Sequence, residues 1–364
     1  MKEVKKLKIA LTGKPNSGKS SLFNQLTGLN QKIGNFPGVT VDKKTGQTAL
    51  DENTSAEILD LPGIYSLYPR SLDEKIVVEV FADKNGPYYP DKVVLVADAT
   101  NLKNCMLLLT QLIDLGLPTV LALNMIDLAA KSGLSIDVKK LSTLLDVPVI
   151  LINARTGQGI SELKKVLITP LKPSKKKIFP ISDDVRPVVS SVRDHFKLTS
   201  DYEAFQYLQQ PDSFIFLSKS DKEFIQDGAK QHQFFPAKYQ GAETILRYEF
   251  IQTVLNKVIL KAATTEWKKH SARIDHVLTH KIFGYLIFFI VLFLIFQSIF
   301  ALAQIPMDAI DNGFASFSHY LTQLFPSGPL FELIAQGIIP GIGGILIFIP
   351  QIAILFAFIS ILEE

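Results

Sequence analysis

Over the first 170 residues, short apolar runs alternate with stretches in which apolar side chains return every three or four positions. Residues 8–11, 56–61, 93–97, 119–123 and 147–152 have the length and β-branched content of strands. Residues 19–26, 101–115, 138–145 and 161–167 carry helical spacing. This alternation predicts a mostly parallel sheet covered by helices on both faces. Residues 171–180 (LKPSKKKIFP) lack an apolar period and read as a linker. Residues 181–265 are strand-poor. Ile245, Tyr248, Ile251, Leu255 and Val258 recur there at helical steps, which predicts a small all-α domain.

The pattern then changes character. Residues 282–307 form a run of 26 without a charge, and crossing a bilayer core takes only about 20. A wholly soluble protein is excluded. The first span is expected from 282 to about 303, followed by an amphipathic stretch bearing Phe314, Phe317, Leu321 and Leu324. A second uncharged run, 333–362, is interrupted by Gly337, Pro340, Gly341, Gly343, Gly344 and Pro350, which predicts a broken or re-entrant helix. Residues 266–281 place Trp267, Ile274, Val277 and Leu278 on one stripe, as an interfacial amphipathic helix would.

Charge sharpens the division. All 38 Lys and Arg lie before residue 282, against 30 acids, while the tail holds five acids and no Lys or Arg. Lys268, Lys269, Arg273 and Lys281 flank the first span on its N-terminal side, so residues 1–281 are expected in the cytoplasm. Acids and bases are interspersed and no basic RNA-binding module is present, which argues against nucleic acid as a partner. The single cysteine, Cys105, excludes an intramolecular disulfide and suits helix packing. The basic N-terminus is not a secretory signal, because Lys8 interrupts its apolar stretch.

Residues 13–20 read GKPNSGKS, matching G-x-x-x-x-G-K-[ST] where a predicted strand ends and a helix begins. Gly13, Lys14, Pro15, Asn16, Ser17 and Gly18 form a turn whose backbone N–H groups, together with a helix N-terminus, would face phosphate oxygens. Lys19 would reach terminal phosphates, Ser20 would offer its hydroxyl to Mg2+, and Ser21 adjoins them. Asp60, Leu61, Pro62 and Gly63 end the second strand: Asp60 would hold Mg2+ through water and the Gly63 N–H would meet the γ-phosphate. Gly38, Val39 and Thr40 lie between, in a polar, Gly-rich stretch from 30 to 45, where Thr40 could complete the Mg2+ shell. Asn124, Met125 and Asp127 follow an apolar run; the Asp127 carboxylate can accept from the two donors on guanine's edge, with Asn124 bridging to the phosphate loop. Asn153, Ala154 and Arg155 follow the last strand, where a backbone N–H could bind the guanine O6.

These five elements occur in the order found in translation-factor-like G proteins. Together with GKPNSGKSSLFNQLTG, IGNFPGVTVD, DLPGIYSL followed by SLDE, LALNMID and the tail opening RIDHVLTHKIFGYLIFF, they resemble the FeoB family of bacterial ferrous iron transporters over essentially the whole chain. The resemblance implies an α/β P-loop GTPase domain with a mostly parallel six-stranded sheet (1–170), a helical domain that modulates nucleotide affinity (181–265) and an α-helical transmembrane region (282–364). It implies GTP hydrolysis to GDP serving Fe2+ transport in the bacterial inner membrane, multi-pass in the full protein, with the lipid bilayer as a partner and a small cytoplasmic FeoA-like protein and further copies of the chain as candidate partners. Lys14 stands where the family often has Asn, and Met125 where most GTPases have Lys. The family continues into further membrane helices beyond ISILEE, so the chain is expected to be a fragment or a partial transporter.

Ile64, after DLPG, cannot orient an attacking water as a Gln would. Asn16 resembles the residue with which potassium-activated GTPases ligate K+, so the catalytic set expected is Asn16, Lys19, Thr40 and Gly63, with Mg2+ and K+ as cofactors. A membrane-anchored regulatory GTPase without its own pore is the competing reading. His276 and His280 share a helical face and are read as interfacial polar groups ahead of a metal pair, and Asp308, Asp311 and Glu332, beyond the first span, as solvated loop acids ahead of groups that attract cations.

Overall fold

The computed structural model describes residues 5–28, 31–36, 41–261, 283–324 and 328–363. The expected interfacial helix at 266–281, and with it His276 and His280, lies outside them, as do Gly38, Val39 and Thr40. Contacts divide the chain into two compact units, Met1–Ala263 and Thr264–Glu364.

Among the described residues, the strands of the first unit are β1 Lys5–Gly13, β2 Gln31–Asn35, β3 Asp42–Ala49, β4 Thr54–Asp60, β5 Lys92–Asp98, β6 Thr119–Asn124, β7 Leu134–Ile136, β8 Val149–Leu151 and β9 Ile259–Lys261. Seven of them form one sheet in the order β2-β3-β4-β1-β5-β6-β8. β4, β1, β5, β6 and β8 run parallel, whereas β2 and β3 run antiparallel at one edge. The sheet is therefore one strand wider than the six expected. β2 and the start of β3 arise from the polar, Gly-rich stretch 30–45, for which no strand is predicted; the buried positions of β3 include Gly46 and Thr48, which give no apolar alternation.

One sheet face is covered by α1 (Lys19–Thr27) and α6 (Ile160–Ile168), whose Leu22, Phe23, Leu163 and Leu167 join Leu11, Ile58 and Val94. The other face packs on α2 (Leu72–Ala82), α3 (Leu102–Asp114) and α5 (Val138–Leu145). α2 offers no 3.6-residue period, since Ile76, Val77, Val78, Val80, Phe81 and Ala82 are all buried; its start is marked by Ser71, whose hydroxyl accepts from the Glu74 N–H. Between β6 and β7 lies α4 (Ile126–Lys131).

Residues 171–180 contain neither helix nor strand. They are fastened to the α/β layer: Asp114 accepts from the N–H groups of Ile178 (2.7 Å) and Phe179 (3.0 Å). Four helices follow, α7 (Arg186–His195), α8 (Asp201–Gln209), α9 (Lys219–Gln231) and α10 (Pro236–Val258). After α10, β9 pairs with β7, returning the chain to the α/β layer.

The helical part shares one apolar core with the second sheet face. At that junction Arg247 is 0% exposed. Its guanidinium pairs with Asp114 (2.7 Å) and Glu243 (2.6 Å) and lies 4.7 Å from the Tyr202 ring centroid. Glu243 also accepts from the hydroxyls of Tyr202 (2.6 Å) and Tyr68. Burial pushes the Asp114 carboxyl up, and Arg247 opposes that shift.

In the second unit the expected span and the amphipathic stretch are one helix, Phe283–Leu324, which runs through Pro306. The second apolar run is interrupted: Pro329–Glu332, a π-helical turn at Leu333–Ile338, then Ile339–Leu346 and Ile349–Glu363. Ser318 donates to the Ala335 carbonyl (2.5 Å) within that turn. A Cβ on Gly343 would come within 2.9 Å of Phe314, so glycine permits this helix approach. Two described segments, Gly284–Leu324 and Pro329–Ser360, are long and apolar enough to cross a membrane.

Arg247→Met would leave the Asp114 and Glu243 carboxylates buried without their cation, and a loss of about 3–5 kcal/mol is expected. Urea unfolding of the full chain in detergent measures it; a midpoint matching wild type would refute the role given to these pairs.

Candidate functional site

Because β4, β1, β6 and β8 are parallel, the segments after their C-terminal ends emerge along one edge of the sheet. β1 carries its apolar positions to Gly13, and the loop 14–18 then turns into α1. Asn16 has φ 62°, a left-handed conformation that Asn tolerates. Gly18 at φ 87° is the N-cap and supplies no side-chain cap, so the first-turn N–H groups of α1 face the loop without a side-chain cap on them. Pro15, Asn16, Ser20 and Ser21 are exposed, Lys14 and Lys19 half-buried, and Ser17 buried.

The segment after β4 is held against this loop. Ile64 N–H donates to the Gly13 carbonyl (3.0 Å), and Leu61 N–H to that of Leu11 (3.1 Å). A Cβ on Gly63 would meet the Pro15 nitrogen at 2.8 Å, so the two turns touch backbone to backbone. The Lys19 ammonium pairs with the Asp60 carboxylate, joining the loops through charge. Pro62 and Leu61 complete the turn. A polar cavity of about 380 Å3 opens here, lined by Lys19, Ser20, Asp42, Lys44, Asp60 and Asp73 among others. Asp42 and Asp73 sit inside motifs legible in the sequence, yet no spacing distinguishes them from solvated acids.

Across the sheet edge, Asn124 is 4% exposed and bonded on both sides. Its Nδ2 donates to the Ser17 carbonyl (2.9 Å) and its Oδ1 accepts from Ala154 N–H (2.9 Å). A Cβ on Gly18 would fall 2.1 Å from that Nδ2, so glycine is required by the close approach as well as by φ. Met125, at φ 60°, turns the chain into α4 and sets Asp127, half-buried, in the first helical turn. Asn153 closes the third loop, its Oδ1 accepting from the N–H groups of Arg155 (3.1 Å) and Thr156 (3.2 Å). The Asn153 N–H donates to the Gln158 carbonyl (2.9 Å). All three N–H groups from 153 to 155 thus have partners within the chain.

Further along, the segment after Gly63 meets the helical part. Leu67 N–H donates to Gln111 Oε1 (2.8 Å), and Leu67 C=O accepts from Gln210 Nε2 (2.6 Å). Tyr68 reaches Glu243, and its hydroxyl accepts from Gln206 Nε2 (3.2 Å). These contacts have no short-range sequence signal, since the partners lie far apart in the chain.

The family model described as ferrous iron transport protein B matches residues 7–167. The Fe(2+) transporter FeoB of Leptospira biflexa is 36% identical, over 99% of this chain and 53% of that protein. A protein of Porphyromonas gingivalis named Fe(2+) transport protein A/Fe(2+) transporter FeoB fusion protein is 33% identical, over 98% of this chain and 44% of its own length. The chain therefore spans about half the length of the curated relatives it matches. Among solved structures, a GDP-bound mutant of the S. thermophilus FeoB G-domain is 32% identical with a TM-score of 0.55, covering 70% of this chain and 100% of that one.

Asn124→Ala would strand the Ser17 carbonyl and the Ala154 N–H in the interior at a cost of about 1–3 kcal/mol. A lowered thermal midpoint without added ligand is expected; an unchanged one would show that the two loops hold their places unaided.

Proposed function

The chain belongs to the ferrous iron transport protein B family, and on that premise we propose that residues 1–170 bind and hydrolyse GTP within the cytoplasmic part of a membrane Fe2+ transporter. The observation that carries this reading is the convergence of Lys19, Ser20 and Asp60 on one polar cavity, beside loops fastened together by Asn124.

Each residue has a chemical task. The uncapped N-terminus of α1 and the N–H groups of the 14–18 loop bind phosphate oxygens. Lys19, which pairs with Asp60, turns to the terminal phosphates. The Ser20 hydroxyl and the Asp60 carboxylate are hard oxygen donors of the kind Mg2+ takes, and Thr40 is assigned to the same shell. Bound Mg2+ would neutralise charge on the phosphates. The Gly63 N–H serves the γ-phosphate, and Asp127 accepts from guanine's N1 and N2 donors. A contact from Ala154 N–H to the guanine O6 requires that donor to be shared with Asn124.

Ile64 is 0% exposed, so it takes no part in orienting water. The exposed Asn16 is assigned to K+, whose charge beside the phosphates would stand in for an arginine finger. The bonds from Leu67 and Tyr68 to Gln210, Gln206 and Glu243 support a route by which movement of the segment after Gly63 reaches the helical part. The basic flank before residue 282 supports a cytoplasmic position for residues 1–281 and an inner-membrane location for the tail. The Porphyromonas fusion protein supports a FeoA-like partner.

Purified chain is expected to hydrolyse GTP and not ATP, several-fold faster in KCl than in NaCl. Asn16→Gly, which accepts the 62° φ while removing the side-chain oxygen, should erase the salt difference. Equal rates in the two salts would remove the K+ assignment. In an uptake-deficient strain the full-length gene should restore Fe2+ accumulation, and its Asp60→Asn variant should not; uptake by that variant at the wild-type rate would uncouple nucleotide chemistry from transport.

A further inference from the structure

Lys14 occupies the second position of the phosphate loop, and the roles assigned above leave its side chain unused. Its ammonium lies 4.7 Å from the centroid of the Tyr65 ring. No carboxylate pairs with it among the described residues, so the ring face is its partner. Burial lowers the Lys14 pKa, with the Cys105 thiol opposing that shift, so the amine is partly withdrawn from water. A cation over a ring gains strength as water is removed.

The contact belongs to a series. Gly13 accepts from Ile64 N–H, Pro15 abuts Gly63, and Lys14 covers Tyr65. Residues 13–15 of one turn therefore meet residues 63–65 of the other. Two of these contacts are made by backbone or ring atoms fixed in place. Only the Lys14–Tyr65 contact depends on a side chain free to swing, and Tyr65 is 54% exposed. On the far side of Tyr65, Leu67 and Tyr68 are bonded to the helical part. Gly63 thus sits near the end of a segment held from two directions.

We propose that Lys14 is a positioning residue for GTP hydrolysis: its ammonium holds Tyr65 so that Gly63 stays against the phosphate loop, without touching the nucleotide. This rests on the hydrolytic reading above. A methionine at position 14 keeps the apolar stem and removes the cation, leucine at 65 removes the ring, and arginine at 14 restores the contact.

The test is a double-mutant cycle on the full chain in detergent, measuring kcat for GTP and the dissociation constant of a fluorescent GDP analogue. Lys14→Met and Tyr65→Leu should each lower kcat by about fivefold. GDP affinity should stay within twofold, Lys14→Arg should recover most of the rate, and the double variant should be no slower than either single one. Multiplying losses, or a Lys14→Met rate equal to wild type, would overturn the proposal. Weakened GDP binding in Lys14→Met but not in Tyr65→Leu would also overturn it, by making Lys14 a nucleotide contact. A wild-type chain that binds GDP yet hydrolyses no GTP would instead refute the hydrolytic reading.

Discussion

The site depends on one buried carboxamide. Asn124 stands where two loops from different strands must keep a fixed spacing, and its side chain satisfies a carbonyl on one side and an N–H on the other. Parallel strands bring those loops to the same edge, but strand direction alone does not set the distance between them. The amide does, because moving either loop would leave a buried polar group without a partner. The glycine at 18 follows from the same constraint, since any side chain there would occupy the space of the Asn124 nitrogen. A motif residue on the phosphate loop is thus explained by one at the end of β6.

Much of this was legible before any coordinates. The apolar runs that became β5 and β6 are buried on both faces and read as continuous hydrophobic stretches, those of β1 and β4 do so toward their C-terminal ends, and α1, α3, α5 and α6 carry the helical period. The phosphate-loop motif declared itself by context. β3 did not, because Gly46 and Thr48 line its buried side; nor did α2, whose apolar run looks as much like a strand as a helix. Glu243 and Arg247, four apart on α10, have the spacing of a solvated pair, yet both are buried. What buries them is Asp114, Tyr68 and Tyr202, far away along the chain and invisible to any local pattern.

The tail illustrates how backbone irregularity is accommodated among apolar side chains. Its glycines and prolines foretold a break, and the break takes the form of a π-helical turn followed by a short helix. A wide turn loosens carbonyls from their usual donors, and the Ser318 hydroxyl serves one of them. Pro306, by contrast, did not end the preceding helix, although the amphipathic pattern beyond it suggested a new element.

Leu67 joins these themes. Its N–H is tied to α3 through Gln111 and its C=O to the helical part through Gln210. A single residue is thereby anchored at both poles, and a displacement of roughly 1 Å along that axis carries one bond out of range while compressing the other. Because both bonds are made by its main chain, residue 67 ties α3 to the helical part independently of the leucine side chain.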